Sequence, residues 1–510
     1  MILVALIILP LLGGVLAWGL ARVHTSASRW ITIFTLAAMT GCAWMLCQGL
    51  ETAGQGRLEF SVSWIPELGI SLSLFADGLS LPLIFLSLGI TFLAVFVSWR
   101  TIQERVGAFH FNLLWVLSGA LGVFLAADLF LFFFFWELMV VPMAFLIALW
   151  GGEEREAAAT KFFLFTQFSG LLMLIATIAL ALTHASLPGE SLSFLYWDLL
   201  DSPAQGSRIL MLGFFLAFAV KLPIAPFHTW QADAYTQAPT GATLILAGFL
   251  SKTGGYGLLR FCQPLFPEAA QAFLPWAFAF GAFTIIYGAM LAYGQSDAKR
   301  LVAFSSLGHM GFILVGAFSG NVLGYQGALI YMLSHGLATS ALFILVDGME
   351  QRLGHRDIDR MGGIAGLAPR YAALGMFFIL ASLGLPASGN FVGEFLILLG
   401  AFQEHVILGA IITLGILFPA VYSLYFIQKV FHGKPTSAFQ FAEMSSREYL
   451  ILALLALGIL YLGLRPQGVF ESVEPSIQPS VVEVAQDAQS SDSLEKATRF
   501  SASESSKHSL

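Results

Sequence analysis

Long apolar stretches alternate with short polar connections along most of the chain. About fourteen of them approach the roughly 20 residues that a helix needs to cross a bilayer. They lie near residues 1–21, 30–50, 78–99, 110–127, 129–150, 161–183, 208–235, 240–260, 272–294, 299–319, 323–348, 371–402, 406–428 and 447–464. This pattern predicts an all-α membrane protein with about fourteen transmembrane helices and one polytopic domain over residues 1–464.

The two ends of the chain need separate interpretation. The first apolar stretch lacks a basic leader and continues into the next span, so we interpret it as an uncleaved helix. Residues 465–510 are rich in Ser, Gln and Glu and have too few apolar residues to build a core. We predict a polar, disordered C-terminal tail there.

The basic residues predict the orientation in the membrane. Connections after odd-numbered spans carry fifteen Lys and Arg residues, against three after even-numbered spans, namely Arg57, Arg208 and Arg260. Basic residues concentrate in cytoplasmic loops. We therefore predict a multi-pass protein of the bacterial inner membrane with both termini on the periplasmic side.

Composition supports the membrane assignment and excludes several other classes. The chain is 57% hydrophobic and 11% charged, whereas soluble domains average about 25% charged residues. Its three cysteines, Cys42, Cys47 and Cys262, form no CxxC pair, zinc spacing or iron–sulfur run. There is no nucleotide-binding glycine motif. We expect no cofactor, metal or nucleic acid on this chain, and place any redox chemistry in partner proteins.

Six ionisable side chains nevertheless lie inside the predicted spans. The most conspicuous is Glu137, within LFLFFFFWELMVVP, and the full set is Glu137, Lys221, Lys252, His309, His335 and Glu394. An ionisable residue in mid-membrane costs about 2.5–3.5 kcal/mol on insertion scales, and such residues usually mark a pathway. The six are therefore candidates for proton translocation.

A structural role is the alternative for each residue alone. A buried Glu–Lys pair can hold two helices together, and a lone residue such as His335 can be a packing histidine. The set favours a proton relay, because burial disfavours the charged form of a side chain whereas an opposite charge favours it. A balanced pair such as Glu137 and Lys221 can change protonation when its neighbour changes.

The backbone near these residues is predicted to be interrupted. In KLPIAP, Pro223 and Pro226 follow Lys221, and in LGLPASGNFVGE a Gly- and Pro-containing stretch precedes Glu394. Proline removes a helical hydrogen bond, and broken helices at membrane depth occur where they line a cavity or are buried in protein. We predict discontinuous helices at the seventh and twelfth spans.

An internal repeat follows from the spacing of the charged residues. Glu137 lies 84 residues before Lys221, and His309 lies 85 residues before Glu394. A shift of five spans relates the two pairs, and an odd shift reverses direction across the membrane. We predict two inverted five-helix repeats at roughly 108–260 and 272–428.

Four stretches carry a family resemblance: DLFLFFFFWELMVVPM, LGFFLAFAVKLPIAPFHTW, LVAFSSLGHMGF and GNFVGEFLIL. They resemble the antiporter-like membrane subunits of proton-pumping NADH:quinone oxidoreductase (respiratory complex I), and among them the subunit M family. The same family includes Mrp cation/proton antiporter subunits. The resemblance implies fourteen helices and proton translocation driven by quinone reduction, with FMN, iron–sulfur clusters and quinone in partner subunits.

The resemblance also assigns roles to individual residues. It implies that Glu137 and Lys221 form the ion pair of the first half, that Lys252 bridges the halves, and that His309 and His335 are relay histidines. The group in span twelve is a lysine in most sister subunits but a glutamate in the subunit M family, as at Glu394 here.

One stretch departs from the family pattern. Where the family commonly has H-x-W-L-P-D-A-H, this chain has HTWQADAY, with Gln231, Ala232 and Tyr235 as the changes. A tyrosine hydroxyl, with an ordinary pKa of about 10, exchanges protons poorly near pH 7. His228 and Asp233 remain.

Three functional hypotheses follow. The first is a proton-translocating subunit of complex I, with other complex I subunits, especially neighbouring antiporter-like subunits, and membrane lipid as its partners. The second is a Mrp-type Na⁺/H⁺ antiporter subunit. The third is a structural membrane subunit whose charges only hold helices together.

Overall fold

The computed structural model describes residues 1–52, 56–200, 202, 204, 206–434 and 440–477. Its main helices are α1 (Ile2–Leu20), α2 (Thr25–Thr52), α3 (Ser80–Thr101), α4 (Val106–Leu125), α5 (Leu129–Trp150), α6 (Arg155–Ala185), α7 (Arg208–Lys221), α8 (Thr229–Gln237), α9 (240–265), α10 (Pro267–Tyr293), α11 (Ala298–Phe318), α12 (Val322–Leu353), α13 (Pro369–Ser382), α14 (Gly389–Glu404), α15 (Val406–His432), α16 (Ser446–Leu464) and α17 (Gln467–Val473). Two short helices, Tyr196–Leu200 and Ile364–Leu367, lie in connections.

Eleven helices within these described ranges are long and apolar enough to cross a membrane: α1 to α6, α10 to α12, α15 and α16. The predominantly helical fold predicted from the sequence is therefore confirmed. Helices α11 and α12 are buried almost throughout and form the centre of the bundle. Helices α2, α6 and α16 present many apolar side chains outward.

A β-hairpin between α2 and α3 corrects the all-α prediction. Strands β1 (Leu58–Ile65) and β2 (Ile70–Ala76) pair antiparallel, with Ser61 opposite Ser73. The stretches LEFSVSWI and ISLSLFA alternate apolar and polar residues over much of their length, which is the periodicity of a strand with one buried face. The hairpin docks on the bundle where the Asp128 carboxylate accepts a hydrogen bond from the Ser71 N–H at 2.8 Å.

Two pairs of helices are separated by short non-helical segments. Helix α7 ends at Lys221 and α8 begins at Thr229, while α13 ends at Ser382 and α14 begins at Gly389. Near the first segment, the Trp230 indole donates to the Val220 carbonyl at 2.9 Å, which satisfies a carbonyl left free at the helix end.

The C-terminal part of the description contains α17 and a 3-10 turn, Glu474–Ser476. Both fall within the segment 465–510 for which the composition predicts a polar tail, and Val473 is buried. Residues 478–510 lie outside the described residues, so the prediction of disorder there stays a prediction.

Candidate functional site

Glu137 lies in the middle of α5 with its carboxylate directed at α6. A methyl group added at Gly170 would lie 2.2 Å from Glu137 Oε1, so the carboxylate would have to move to admit a larger residue there. Oε1 is buried and has no hydrogen-bond partner. Buried polar atoms are normally hydrogen-bonded, and an exception needs a functional or structural reason.

Lys221 lies at the last position of α7, and its side chain is almost completely enclosed, with 1% of its surface exposed. Its ammonium nitrogen lies 5.0 Å from the centre of the Trp136 ring and 5.8 Å from that of Phe162. It has no hydrogen-bond partner. Aromatic faces attract a cation but leave its three N–H groups unused.

Glu137 and Lys221 interact electrostatically, as the sequence predicts. No salt bridge within 4 Å joins them, and each retains an unsatisfied polar atom. The side chain of Trp136, next to Glu137 in the chain, lies under the ammonium group. The two charges are thus neighbours without direct contact, and a small movement of either side chain changes their attraction.

Lys252 follows a π-helical turn, Leu246–Leu250, in α9. The Ser251 N–H bonds to the Leu246 carbonyl five residues earlier, at 3.2 Å. Such turns are often found at functional sites. The Lys252 ammonium donates to the Ala247 carbonyl, to Ser251 Oγ at 3.3 Å and to His335 Nδ1 at 2.9 Å.

Two histidines continue from Lys252 towards α11. Because Lys252 donates to Nδ1 of His335, the proton of the neutral ring lies on Nε2, which contacts Thr339 Oγ1 at 3.0 Å. The His335 ring centre lies 5.3 Å from that of His309. His309 Nε2 contacts Ser382 Oγ at 3.1 Å.

Tyr331 joins His309 to Glu394. Its hydroxyl donates to Glu394 Oε1 at 2.8 Å and lies 2.6 Å from His309 Nδ1, which must then be the donor to the hydroxyl oxygen. The other Glu394 oxygen lies against Gly384, where an added methyl group would come within 2.4 Å. Gly384 has φ +83°, so glycine is required there by conformation and by space.

The structure therefore groups the six predicted residues into two clusters. Lys252, His335, His309 and Glu394 lie along one buried polar chain, together with Tyr331, which sequence reasoning missed. Tyr331 lies four residues before His335, on the same face of α12, and this helical spacing is the signal that identifies it.

The first-half pair lies in a separate cluster beside this chain. Helix α7 packs closely on α9, since a methyl group at Gly254 would lie 2.6 Å from the Phe218 carbonyl oxygen. Lys221 follows Phe218 by three residues, about one helical turn, and Lys252 is two residues before Gly254. No side-chain hydrogen bond leads from Lys221 to Lys252, since the Lys221 nitrogen has no partner in the described structure.

The departure from the family pattern in α8 has a structural explanation. The Tyr235 hydroxyl donates to the Leu246 carbonyl at 3.1 Å, and Gln231 donates to the Ala303 carbonyl at 2.9 Å. Asp233 is held by Lys161 at 2.8 Å and by Arg300 at 3.1 Å. All three residues thus connect α8 to neighbouring helices.

Arg260 is not a loop residue, contrary to its use in the orientation count. It is buried in α9, and its guanidinium donates to both carboxylate oxygens of Asp77 at 2.6 Å. Burial alone would raise the pKa of Asp77, but the guanidinium lowers this pKa below its usual value. The ion pair fixes the end of β2 to α9, and no pattern in the sequence indicates that these distant residues meet.

No group of three or more His, Cys, Asp or Glu side chains that could hold a metal ion is found in the part of the chain that the structure describes. Cys42, Cys47 and Cys262 are free thiols.

Comparisons with known proteins identify the family of the chain. The family model described as NADH:quinone oxidoreductase/Mrp antiporter, TM, matches residues 126–418. NADH-quinone oxidoreductase subunit M of Escherichia coli is 45% identical over 494 residues, covering 94% of this chain and 97% of that protein. Subunit M of Pseudomonas aeruginosa is 45% identical over 487 residues, covering 92% and 96%.

A solved structure extends the similarity to the fold. A chain of respiratory complex I from Thermus thermophilus with bound NADH superimposes with a TM-score of 0.83 at 30% identity, covering 95% of this chain and 99% of that chain. The chain therefore belongs to the NADH:quinone oxidoreductase/Mrp antiporter transmembrane family, and within it to the subunit M group.

Proposed function

We propose that this chain is a proton-translocating membrane-arm subunit of NADH:quinone oxidoreductase. Its relatives of similar length carry the name subunit M of that enzyme. Electron transfer through FMN, iron–sulfur clusters and quinone takes place in partner subunits. This chain contributes a buried path for protons, and quinone reduction elsewhere supplies the energy.

The polar chain from Lys252 to Glu394 is the observation that carries the proposal. Lys252 donates to His335 at 2.9 Å, and His309 is joined through Tyr331 to Glu394 by bonds of 2.6 Å and 2.8 Å. Each of these groups can hold or release a proton. The two imidazole rings exchange a proton by reorientation or through one bridging water molecule.

The hydrogen-bond donors define the direction in which a proton moves, from Lys252 towards Glu394. Lys252 in its ammonium form passes a proton to Nδ1 of His335, whose other nitrogen already carries one. From His309 Nδ1, the Tyr331 hydroxyl accepts a proton while giving its own to Glu394. After this step the hydroxyl and the ring must turn back before the next proton can follow.

Glu137 and Lys221 form the switch of the first half. When the carboxylate moves towards the ammonium group, it favours the protonated amine; when it moves away, burial favours release of the proton. The released proton then enters the region of Lys252. Glu137 and Lys221 form no direct bond. This supports the role of a switch, because no bond holds Lys221 in its protonated or its neutral form.

The finer architecture is part of the same proposal. We infer fourteen spans, with α7 and α8 forming one discontinuous span and α13 and α14 another, in two inverted repeats over 108–260 and 272–428. Both termini then lie on the periplasmic side of the bacterial inner membrane. The breaks follow Lys221 and precede Glu394, the positions that the inverted repeat relates to each other.

The test replaces Lys221 by methionine, which keeps the length of the side chain and removes its charge. We expect the complex to assemble and NADH-driven proton uptake by inverted membrane vesicles to fall severely. Lys429→Met, at a half-exposed lysine paired with Asp359, is the matched control and keeps normal pumping. Normal pumping by an assembled Lys221→Met complex would refute the relay.

The same preparation separates the two rival functions. A Mrp-type antiporter subunit predicts Na⁺ transport that follows an imposed pH gradient without NADH, and co-purification without flavin and iron–sulfur subunits. A purely structural subunit predicts that Lys221→Met reduces the amount of assembled complex and leaves the pumping of each remaining complex unchanged.

A further inference from the structure

Two arginines that have no partner converge at one end of the bundle. Arg100 at the end of α3 and Arg447 at the start of α16 line the same cavity of about 410 Å³. Their charges are close enough to repel each other. Among the residues that the structure describes, no hydrogen bond or ion pair satisfies either guanidinium. Arg100 is exposed and Arg447 is partly exposed, so an anion can reach both guanidinium groups.

The acidic residues in this cavity are already occupied. Glu448 forms two hydrogen bonds of 2.9 Å with the Arg352 guanidinium. Asp347 accepts from Thr240 at 2.5 Å and from Gln351 at 2.6 Å. The cavity thus holds three arginines, Arg100, Arg352 and Arg447, against these two carboxylates, which leaves an excess of one positive charge for an anion from outside the chain.

Aromatic residues place the arginines at the level of lipid headgroups. Trp99, next to Arg100, packs edge-on against Trp30 with ring centres 5.7 Å apart, and Trp30 is 52% exposed. Tyr449, two residues after Arg447, is 50% exposed. Exposed Trp and Tyr residues characteristically mark the membrane–water interface.

A second cavity, of about 770 Å³, lies further along the same three helices, α3, α12 and α16, and is also lined by residues of α2 and α17. On α16 the two cavities are lined by Arg447, Ile451, Gly458 and Leu462, which share one helix face. These positions span about 22 Å at a 1.5 Å rise per residue, more than the roughly 15 Å of one leaflet.

We propose that one anionic phospholipid binds at these helices, with its phosphate between Arg100 and Arg447 and its acyl chains along α3, α12 and α16. Basic pockets between membrane helices bind anionic headgroups. The lipid fills the space between α3 and α16 and supports α12, the helix that carries Tyr331 and His335. An acidic segment of a neighbouring subunit fits the charge but not the apolar side chains beside it, Val97, Ile344 and Ile451.

The experiment measures lipid retained by the intact, purified complex. Complexes with Arg100→Gln and Arg447→Gln together are compared with wild type after washing in lipid-free detergent, followed by titration with phosphatidylglycerol or phosphatidylcholine. The matched control is Arg22→Gln with Lys434→Gln, which removes the same charge on the same predicted side; Arg22 lies over Trp18, away from the cavity. A second variant, Arg100→Lys with Arg447→Lys, keeps the charge.

Wild type, the lysine variant and the control are expected to retain phosphatidylglycerol in preference to phosphatidylcholine. The glutamine variant is expected to bind phosphatidylglycerol about 30-fold more weakly, which corresponds to about 2 kcal/mol for two basic residues. Equal retention by wild type and the glutamine variant would overturn the proposal. Loss of a neighbouring subunit from the glutamine variant, with lipid retention unchanged, would also overturn it and assign the arginines to a protein partner.

Discussion

Replacing Tyr331 by phenylalanine removes one oxygen atom from the middle of the buried polar chain. This hydroxyl makes two hydrogen bonds, 2.6 Å to His309 Nδ1 and 2.8 Å to Glu394 Oε1. Phenylalanine keeps the ring and its packing. The vacated space is smaller than the roughly 30 Å³ that a water molecule takes up in the liquid, so water does not readily replace the hydroxyl.

The expected effect on pumping follows from the strength of these bonds. A hydrogen bond to a charged group contributes about 1.5–3 kcal/mol. We expect the free energy of the lost hydrogen bond to add to the activation free energy of proton transfer between His309 and Glu394. The transfer then slows by about 10- to 100-fold, since 1.36 kcal/mol is a factor of ten. His309 keeps its contact with Ser382 at 3.1 Å, so the fold around the ring is preserved.

The assay is NADH-driven acidification of inverted membrane vesicles, with the rate of NADH oxidation and the amount of assembled complex measured in the same vesicles. Tyr371→Phe is the matched control, because Tyr371 is also buried and donates its hydroxyl to a carbonyl, that of Leu345, outside the polar chain. Wild-type pumping by assembled Tyr331→Phe complexes would show that the Tyr331 hydroxyl does not carry protons between His309 and Glu394.

Three further substitutions test other parts of the site. Gly170→Ala displaces the Glu137 carboxylate, because the added methyl group would lie 2.2 Å from Oε1, and is expected to reduce vesicle acidification; unchanged pumping would mean that the carboxylate position is unimportant. Glu394→Gln keeps the shape of the side chain and removes its titration, so proton uptake by vesicles should fall, and normal uptake would make the acid structural. Asp77→Asn leaves Arg260 buried without its counter-charge and should destabilise the subunit by about 3–5 kcal/mol, seen as a lower thermal unfolding temperature; an unchanged temperature would contradict this.

Two controls make these results specific. Gly41→Ala adds a methyl group where no atom lies within 4 Å, and is expected to leave pumping unchanged. Replacing both partners of the ion pair, as Asp77→Leu with Arg260→Met, removes the unpaired charge and is expected to recover most of the stability lost by Asp77→Asn, because paired apolar replacements of buried ion pairs are often neutral.

The sequence predicts those parts of the site that carry an intrinsic energetic cost. Glu137, Lys221, Lys252 and Glu394 stand out because a charge in an apolar span is expensive wherever it lies. Tyr331 does not stand out, because tyrosine is common in apolar helices and its role depends on contacts across α11, α12 and α14. Only the four-residue spacing to His335 points to it.

Contacts between residues far apart in the chain cannot be predicted from local patterns in the sequence. The position of Arg260 at the end of an apolar stretch predicts a loop cation, but its partner Asp77 lies 183 residues away in the chain. The prediction from the sequence omits the hairpin β1–β2, although the alternation of apolar and polar residues is visible. The long apolar helical stretches on both sides of it are the stronger signal. Glu137 and Lys221 were predicted as a pair, and the structure leaves them close but without a direct bond.

The most direct test of the central claim is the number of protons moved per NADH oxidised by proteoliposomes that contain the intact complex with Lys252→Met. This substitution removes the first proton donor of the buried chain and keeps the length of the side chain. We expect an assembled complex that moves fewer protons per NADH than wild type. A Lys252→Met complex that moves the wild-type number would contradict the claim that protons pass along the chain from Lys252 to Glu394.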